Sequence, residues 1–300
     1  MLRETERSAQ RFQGLDTWST AEVLETLWAG QSRAVAACQP ALAELERVVV
    51  RVAERLARGT GRLVYAGAGS SGVIATLDAL ELEGTFGWPM SRVSILMAGG
   101  LELTRGVNDN AEDDEGAGRA RVEALGVGPQ DVVIGVSASG QSVFTVGVLA
   151  EARRRGALTV AVANVAGSAL QTAAELAVVP LSGAEVLMGS TRLGAGTAQK
   201  VVLNLLSTAV MTRLGLVYDN LMCRVRPDNA KLRLRCIRII AHIARVDEPA
   251  AERALTQHGE IPRAVLCLAG LSPAEADAAL ARSGGNLRAA LQARAALEKA

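Results

Sequence analysis

Five short apolar runs, separated by stretches long enough for a helix, constrain this chain more than any other feature. They are Arg62–Ala66, Val93–Ala98, Val132–Val136, Leu158–Ala163 and a weaker one at Ala177–Pro180. Helix-like segments lie between them at Val73–Leu82, Ala117–Leu125 and Ser142–Arg154. A strand covered on both faces reads as a continuous apolar run, and parallel strands need a crossover between them. The alternation predicts an α/β fold, an open, doubly wound and mostly parallel sheet over residues 60–228. Ligands are expected at the carboxyl ends of its strands.

Both flanks read as helical. In residues 1–59, Ser19-Thr20-Ala21-Glu22 has the form of a capping box, with Ser19 as cap and Glu22 reaching back. After Pro40, the residues Leu42, Leu45, Val49, Val52 and Leu56 recur at helical spacing until Gly59. This amphipathic helix is expected to lie against the sheet domain or a partner subunit. In residues 229–300, Glu252–Leu266 resembles Asp277–Leu291. Ala254-Leu255 matches Ala279-Leu280, Arg263-Ala264 matches Arg288-Ala289, and Ser272 opens the second copy as a cap. Two short helical hairpins follow from this, a small bundle suited to packing rather than to catalysis.

Aromatic residues make up only 3% of the chain against 49% apolar residues, so the core must be built from Ala, Val and Leu. A formal net charge of +1 gives no long-range pull toward nucleic acid or a membrane surface. The opening MLRETERSAQRF lacks the apolar centre of a secretory signal, and Val201–Met211 is short for a span. No membrane helix is expected. Cys38, Cys223, Cys236 and Cys267 are scattered, and His242 and His258 stand near no cysteine pair. Reduced thiols in the cytosol and no metal site are the simplest account.

The stretch Arg62–Gly72 carries Gly67, Gly69 and Gly72 at the spacing of a dinucleotide fingerprint. That fingerprint also requires an acidic residue at the end of the second strand, where this chain has Ala98-Gly99-Gly100. What the turn offers instead is Ser70 and Ser71 at a helix start, a setting suited to one phosphate. Ser137, Ser139, Gly140 and Ser142 repeat the arrangement after the third apolar run. Two such turns at consecutive strand ends point to a phosphorylated ligand.

The second turn is similar to that of sugar isomerase (SIS) domains. A longer stretch, Gly189-Ser190-Thr191-Arg192-Leu193-Gly194-Ala195-Gly196-Thr197-Ala198-Gln199-Lys200, closely resembles the N-acetylmuramic acid 6-phosphate etherase family. So do Thr85–Pro89, Ala111-Glu112-Asp113, Asn220-Leu221-Met222, and, near the start, Thr5-Glu6 with Leu15-Asp16. The resemblance implies an SIS-type fold and cleavage of the lactyl ether of N-acetylmuramic acid 6-phosphate to N-acetylglucosamine 6-phosphate and D-lactate. It implies an elimination at C2–C3 followed by hydration, without metal or redox cofactor, in a cytoplasmic homodimer of peptidoglycan recycling whose subunits border each other's sites.

The same resemblance marks Glu81 as proton donor to the ether oxygen and Glu112 as the base. Gly69, Ser70, Ser71, Ser137, Ser139, Gly140, Ser142, Ser190, Thr191 and Lys200 are marked as substrate or phosphate contacts, and Arg192 as a further cation. By themselves, Glu83 beside Glu81 and the run Asp113-Asp114-Glu115 after Glu112 read as solvated acidic faces. Lys200 alone reads equally as an exposed helix lysine. The chain departs from the family at Val73 and Gly194, where arginine and lysine are usual, and at Ser142-Val143, where Thr-Pro is common. Those losses point to the alternatives: a non-catalytic sugar-phosphate regulatory protein, or an etherase-like enzyme with another substrate.

Overall fold

The computed structural model describes residues 9–101 and 109–297. Thr5 and Glu6, which carry part of the resemblance, lie outside them. The chain divides into two compact units, one of residues 1–79 with 91–207 and one of residues 80–90 with 208–300.

The first unit is built on a five-stranded, all-parallel sheet: β1 (Leu63–Gly67), β2 (Val93–Met97), β3 (Val132–Ser137), β4 (Leu158–Ala163) and β5 (Leu176–Val178). Every residue of β1, β3 and β4 is buried, which is why these strands read as unbroken apolar runs. The spatial order is β2-β1-β3-β4-β5. The chain thus builds outward from β1 in one direction, returns across it, and continues the other way from β3.

Three crossover helices connect the first four strands: α3 (Gly69–Phe86), α4 (Glu115–Leu125) and α5 (Val143–Arg154). Ahead of the sheet stand α1 (Thr20–Ala36) and α2 (Leu42–Ala57). The capping box at Ser19 is present: Glu22 N–H donates to the Ser19 hydroxyl at 3.3 Å, and Ser19 N–H donates to the Glu22 carboxylate at 2.9 Å. In α2, the residues Leu45, Val48, Val49, Val52, Ala53 and Leu56 are buried. Leu42, expected on the same stripe, is 47% exposed because it opens the helix beyond the edge of the covered face. After β4 come the short α6 (Ala169–Ala173), β5 and the long α7 (Gly194–Arg213).

The second unit contains α8 (Ala230–Ala244) and two hairpins, α9 (Glu248–His258) with α10 (Ile261–Leu268) and α11 (Pro273–Arg282) with α12 (Leu287–Leu297). The recurring Ala-Leu pairs of the hairpins are core residues, whereas the recurring Arg263 and Arg288 are not. Ala254, Leu255, Ala279 and Leu280 all sit in one apolar cluster. Ser272 and Glu275 form a second capping box. Among the described residues, no single helix is long and apolar enough to cross a membrane.

Candidate active site

In an open parallel sheet, the crevice for a ligand opens where the strand order reverses. Here that point lies between β1 and β3, and Gly67 is level with Val136 across the pair. Both serine turns therefore leave the sheet side by side.

The first turn is almost absent. Only Ala68 separates β1 from α3, so Ser70 and Ser71 belong to the helix's first turn, four residues before the expected start. Close approach makes this possible: a Cβ on Gly67 would stand 2.7 Å from Gly72 Cα, and one on Gly72 only 2.3 Å from Met97 Sδ. Two of the three glycines thus serve helix-to-strand contact rather than a nucleotide. The N–H groups of a first helical turn lack intrahelical acceptors and face forward, as an anion requires.

The second turn folds back on itself. Gly140 N–H donates to the Ser137 hydroxyl at 3.1 Å, and Gln141 N–H donates to the Ser139 hydroxyl at 3.2 Å. A hydroxyl that has accepted a backbone N–H still holds its own hydrogen for a ligand. Gly140 has φ +64°, a left-handed conformation that lets the turn close.

These turns line a cavity of about 420 Å³ that is large enough for a phosphorylated amino sugar. Gly69, Ser70, Ser71, Ser137, Ser139 and Thr191 line it, and so does Glu112. Asp113, Gln141 and Gly189 line it too; Asp113 and Gly189 stand in stretches that carry the family resemblance, but none of the three was marked as a contact. Gln141 falls between two serines of the same run, which was the available signal.

The acidic run around Glu112 has three separate tasks. A 3₁₀ turn over Asp109–Asp113 carries Glu112 and Asp113 to the cavity. Asp114 caps α4, accepting from Ala117 N–H at 2.8 Å, and Glu115 pairs with Arg119.

The cavity does not include the other marked residues. Gly140 is buried and is not among the lining residues. Ser142 is 2% exposed, and its hydroxyl accepts from Thr145 at 3.0 Å. Ser190 and the exposed Arg192 lie outside the lining, as does Lys200. The charge of Lys200 acts on Asp78 of α3. Glu81 is exposed on α3 and is not among the residues that line the cavity.

The start of α7 holds an anion of its own. The Glu185 carboxylate, 4% exposed, accepts from Gly194 N–H and Ala195 N–H at 2.8 Å each. A Cβ at position 194 would stand 2.9 Å from that carboxylate, so the glycine at this departure is matched to Glu185. Farther along, Gln199 donates to Asn164 at 3.0 Å, tying α7 to the end of β4.

A sequence profile described as the SIS domain matches residues 32–164. The chain is 43% identical over 291 residues to the N-acetylmuramic acid 6-phosphate etherase of Deinococcus radiodurans, covering 96% of this chain and 95% of that protein. It is 44% identical over 265 residues to the etherase of the same name from Symbiobacterium thermophilum, covering 88% of each. Among solved structures, a candidate phosphosugar isomerase involved in capsule formation from Bacteroides fragilis NCTC 9343 superposes with a TM-score of 0.53. The match covers 67% of this chain and 95% of that one at 21% identity, a likeness of fold.

Proposed function

The chain belongs to the N-acetylmuramic acid 6-phosphate etherase family, and we propose that it uses water to convert N-acetylmuramic acid 6-phosphate to N-acetylglucosamine 6-phosphate and D-lactate. The observation that carries this reading is the convergence of two serine turns and Glu112 on one cavity at the reversal of the strand order.

In this reading, the hydroxyls of Ser70, Ser71, Ser137 and Ser139 and the first-turn N–H groups of α3 hold the phosphate. The sugar reacts in its open form, so that C2 adjoins the aldehyde. Glu112 removes the C2 proton, and the electron pair expels the lactyl oxygen from C3. Glu81 protonates that oxygen, and water then adds across the double bond, placing hydroxyl on C3 and hydrogen on C2. Opposite protonation states of two carboxyls suit this division of work.

The reading includes a cytoplasmic homodimer in which a second subunit borders the site, as the family likeness implies. Residues 60–228 act as the sugar-phosphate-binding domain, with helical regions on either side. Val73 and the Glu185–Gly194 pairing favour a second reading, a sugar-phosphate regulator without turnover. The purified protein, incubated with N-acetylmuramic acid 6-phosphate and assayed for D-lactate, separates the two. Release that is lost in Glu81→Gln and Glu112→Gln supports the enzyme, and tight binding without release supports the regulator.

A further inference from the structure

Of the buried carboxylates in the first unit that this chemistry does not use, Asp131, Glu151 and Glu185 serve ion pairs or a helix start, and Asp78 remains. Asp78 lies on α3 and is 2% exposed. It accepts from Tyr65 Oη of β1 at 2.9 Å, from Asn204 Nδ2 of α7 at 3.0 Å and from Ser207 Oγ of α7 at 3.2 Å. Lys200, one helical turn before Asn204, adds the attraction of its charge. Burial pushes the Asp78 carboxyl above its usual range, while the three donors and Lys200 pull the other way. A buried carboxylate is costly, and an apolar side chain of similar size would fill the space. Asp78 and its three donors stand on elements that end at the cavity: β1 with Tyr65 feeds Ala68, α3 with Asp78 begins with Ser70 and Ser71, and α7 with Asn204 and Ser207 follows Gly189 and Thr191.

We propose that Asp78 is a positioning residue for the reaction, pinning β1, α3 and α7 in the one register that aligns their cavity ends. Helices are stiff over two to three turns, so a rotation at Asp78 is carried to the serine hydroxyls. This inference rests on the etherase reading.

The test compares Asp78→Ala with Asp78→Asn at a temperature where circular dichroism finds both folded. Alanine leaves three donors without an acceptor. Asparagine keeps its oxygen for Asn204 and Ser207, and its amide can donate to the Tyr65 oxygen. Asp78→Ala should raise KM for N-acetylmuramic acid 6-phosphate and lower kcat, with a loss in kcat/KM of about tenfold or more. Asp78→Asn should stay within about threefold of the parent.

Unchanged KM and kcat in folded Asp78→Ala would overturn the proposal, as would an asparagine variant no better than alanine. If Asp78→Ala does not fold, Asn204→Ala combined with Ser207→Ala keeps the Tyr65 bond and should move KM in the same direction. Unchanged kinetics in that pair would equally overturn it. Inorganic phosphate, titrated by ³¹P NMR, separates this failure from that of the etherase reading. An inactive parent protein whose phosphate affinity drops in Asp78→Ala would end the etherase reading and keep the positioning role. Phosphate affinity that Asp78→Ala leaves unchanged would end the positioning role.

Discussion

Gly140→Ala measures how closely the second serine turn is built. The backbone there has φ +64°, and a Cβ would stand 2.3 Å from both Cβ and Oγ of Ser168. The left-handed conformation costs a non-glycine residue about 1–2 kcal/mol. Forcing a methyl into a filled site adds about 1–3 kcal/mol. Together these give about 2–5 kcal/mol, or a lowering of the sheet domain's melting temperature by about 4–20 °C at its size. Gly69→Ala provides the control. Its φ is +54°, but nothing lies within 4 Å of the added Cβ. It should cost only the conformational part, about 1–2 kcal/mol.

Ser168→Gly completes the cycle, because it removes both atoms in the way. Ser168 caps α6, accepting from Gln171 N–H at 3.4 Å, and glycine at a cap position costs a few tenths of a kcal/mol, roughly. Adding Gly140→Ala to Ser168→Gly should then cost about 1–2 kcal/mol, leaving a favourable coupling of about 1–3 kcal/mol. Urea unfolding followed by circular dichroism measures all four proteins. Gly140→Ala costing the same with and without Ser168, or Gly69→Ala costing as much as Gly140→Ala, would refute the steric reasoning.

Glu112→Gln should lower D-lactate release by about 10²–10⁴-fold, the usual contribution of a general base, while inorganic phosphate binds as before in an NMR titration. Inactive Glu81→Gln and Glu112→Gln proteins, mixed and allowed to exchange subunits, should regain about a quarter of parental activity if each site draws one glutamate from each copy. Activity that stays absent in verified mixed dimers would refute the shared site. At Asp131, burial pushes the carboxyl up, but the Arg62 guanidinium and the N–H groups of Arg62 and Gly128 outweigh it, so its pKa falls below 3.8. A depressed carboxyl contributes stability above its unfolded value and loses it as the pH drops through the folded one. Asp131→Asn should therefore cost about 1.5–3 kcal/mol at neutral pH and flatten the acid limb of a stability–pH curve.

Legibility followed burial. The strand β4 was readable to the residue, Leu158–Ala163, because the whole strand is covered and its pattern is unbroken. The start of α3 was misplaced by four residues because Gly69-Ser70-Ser71-Gly72 has no apolar periodicity. That helix begins early only because the glycines let it press against β1 and β2. The repeated tail was legible because its recurring Ala-Leu pairs, Ala254-Leu255 and Ala279-Leu280, are buried.

The site was readable as motif but not as geometry. Ser137, Ser139 and Ser142 stand in one run, yet the last turns to Thr145 because it sits at the start of α5. Glu112 and Asp114 are neighbours in an acidic run. The 3₁₀ turn sends one to the cavity and leaves the other to cap α4. Glu185 gave no sign of its role, since its partners lie nine and ten residues further on, across a loop.

Isotope placement in the product tests the elimination–hydration account most directly. Turnover of N-acetylmuramic acid 6-phosphate in D₂O enriched in ¹⁸O should give N-acetylglucosamine 6-phosphate with one deuterium at C2 and one ¹⁸O at C3, and D-lactate with its ether oxygen unlabelled. Label in the lactate hydroxyl with none at C2 would mean direct hydrolysis at the lactyl carbon, contradicting the roles given to Glu112 and Glu81.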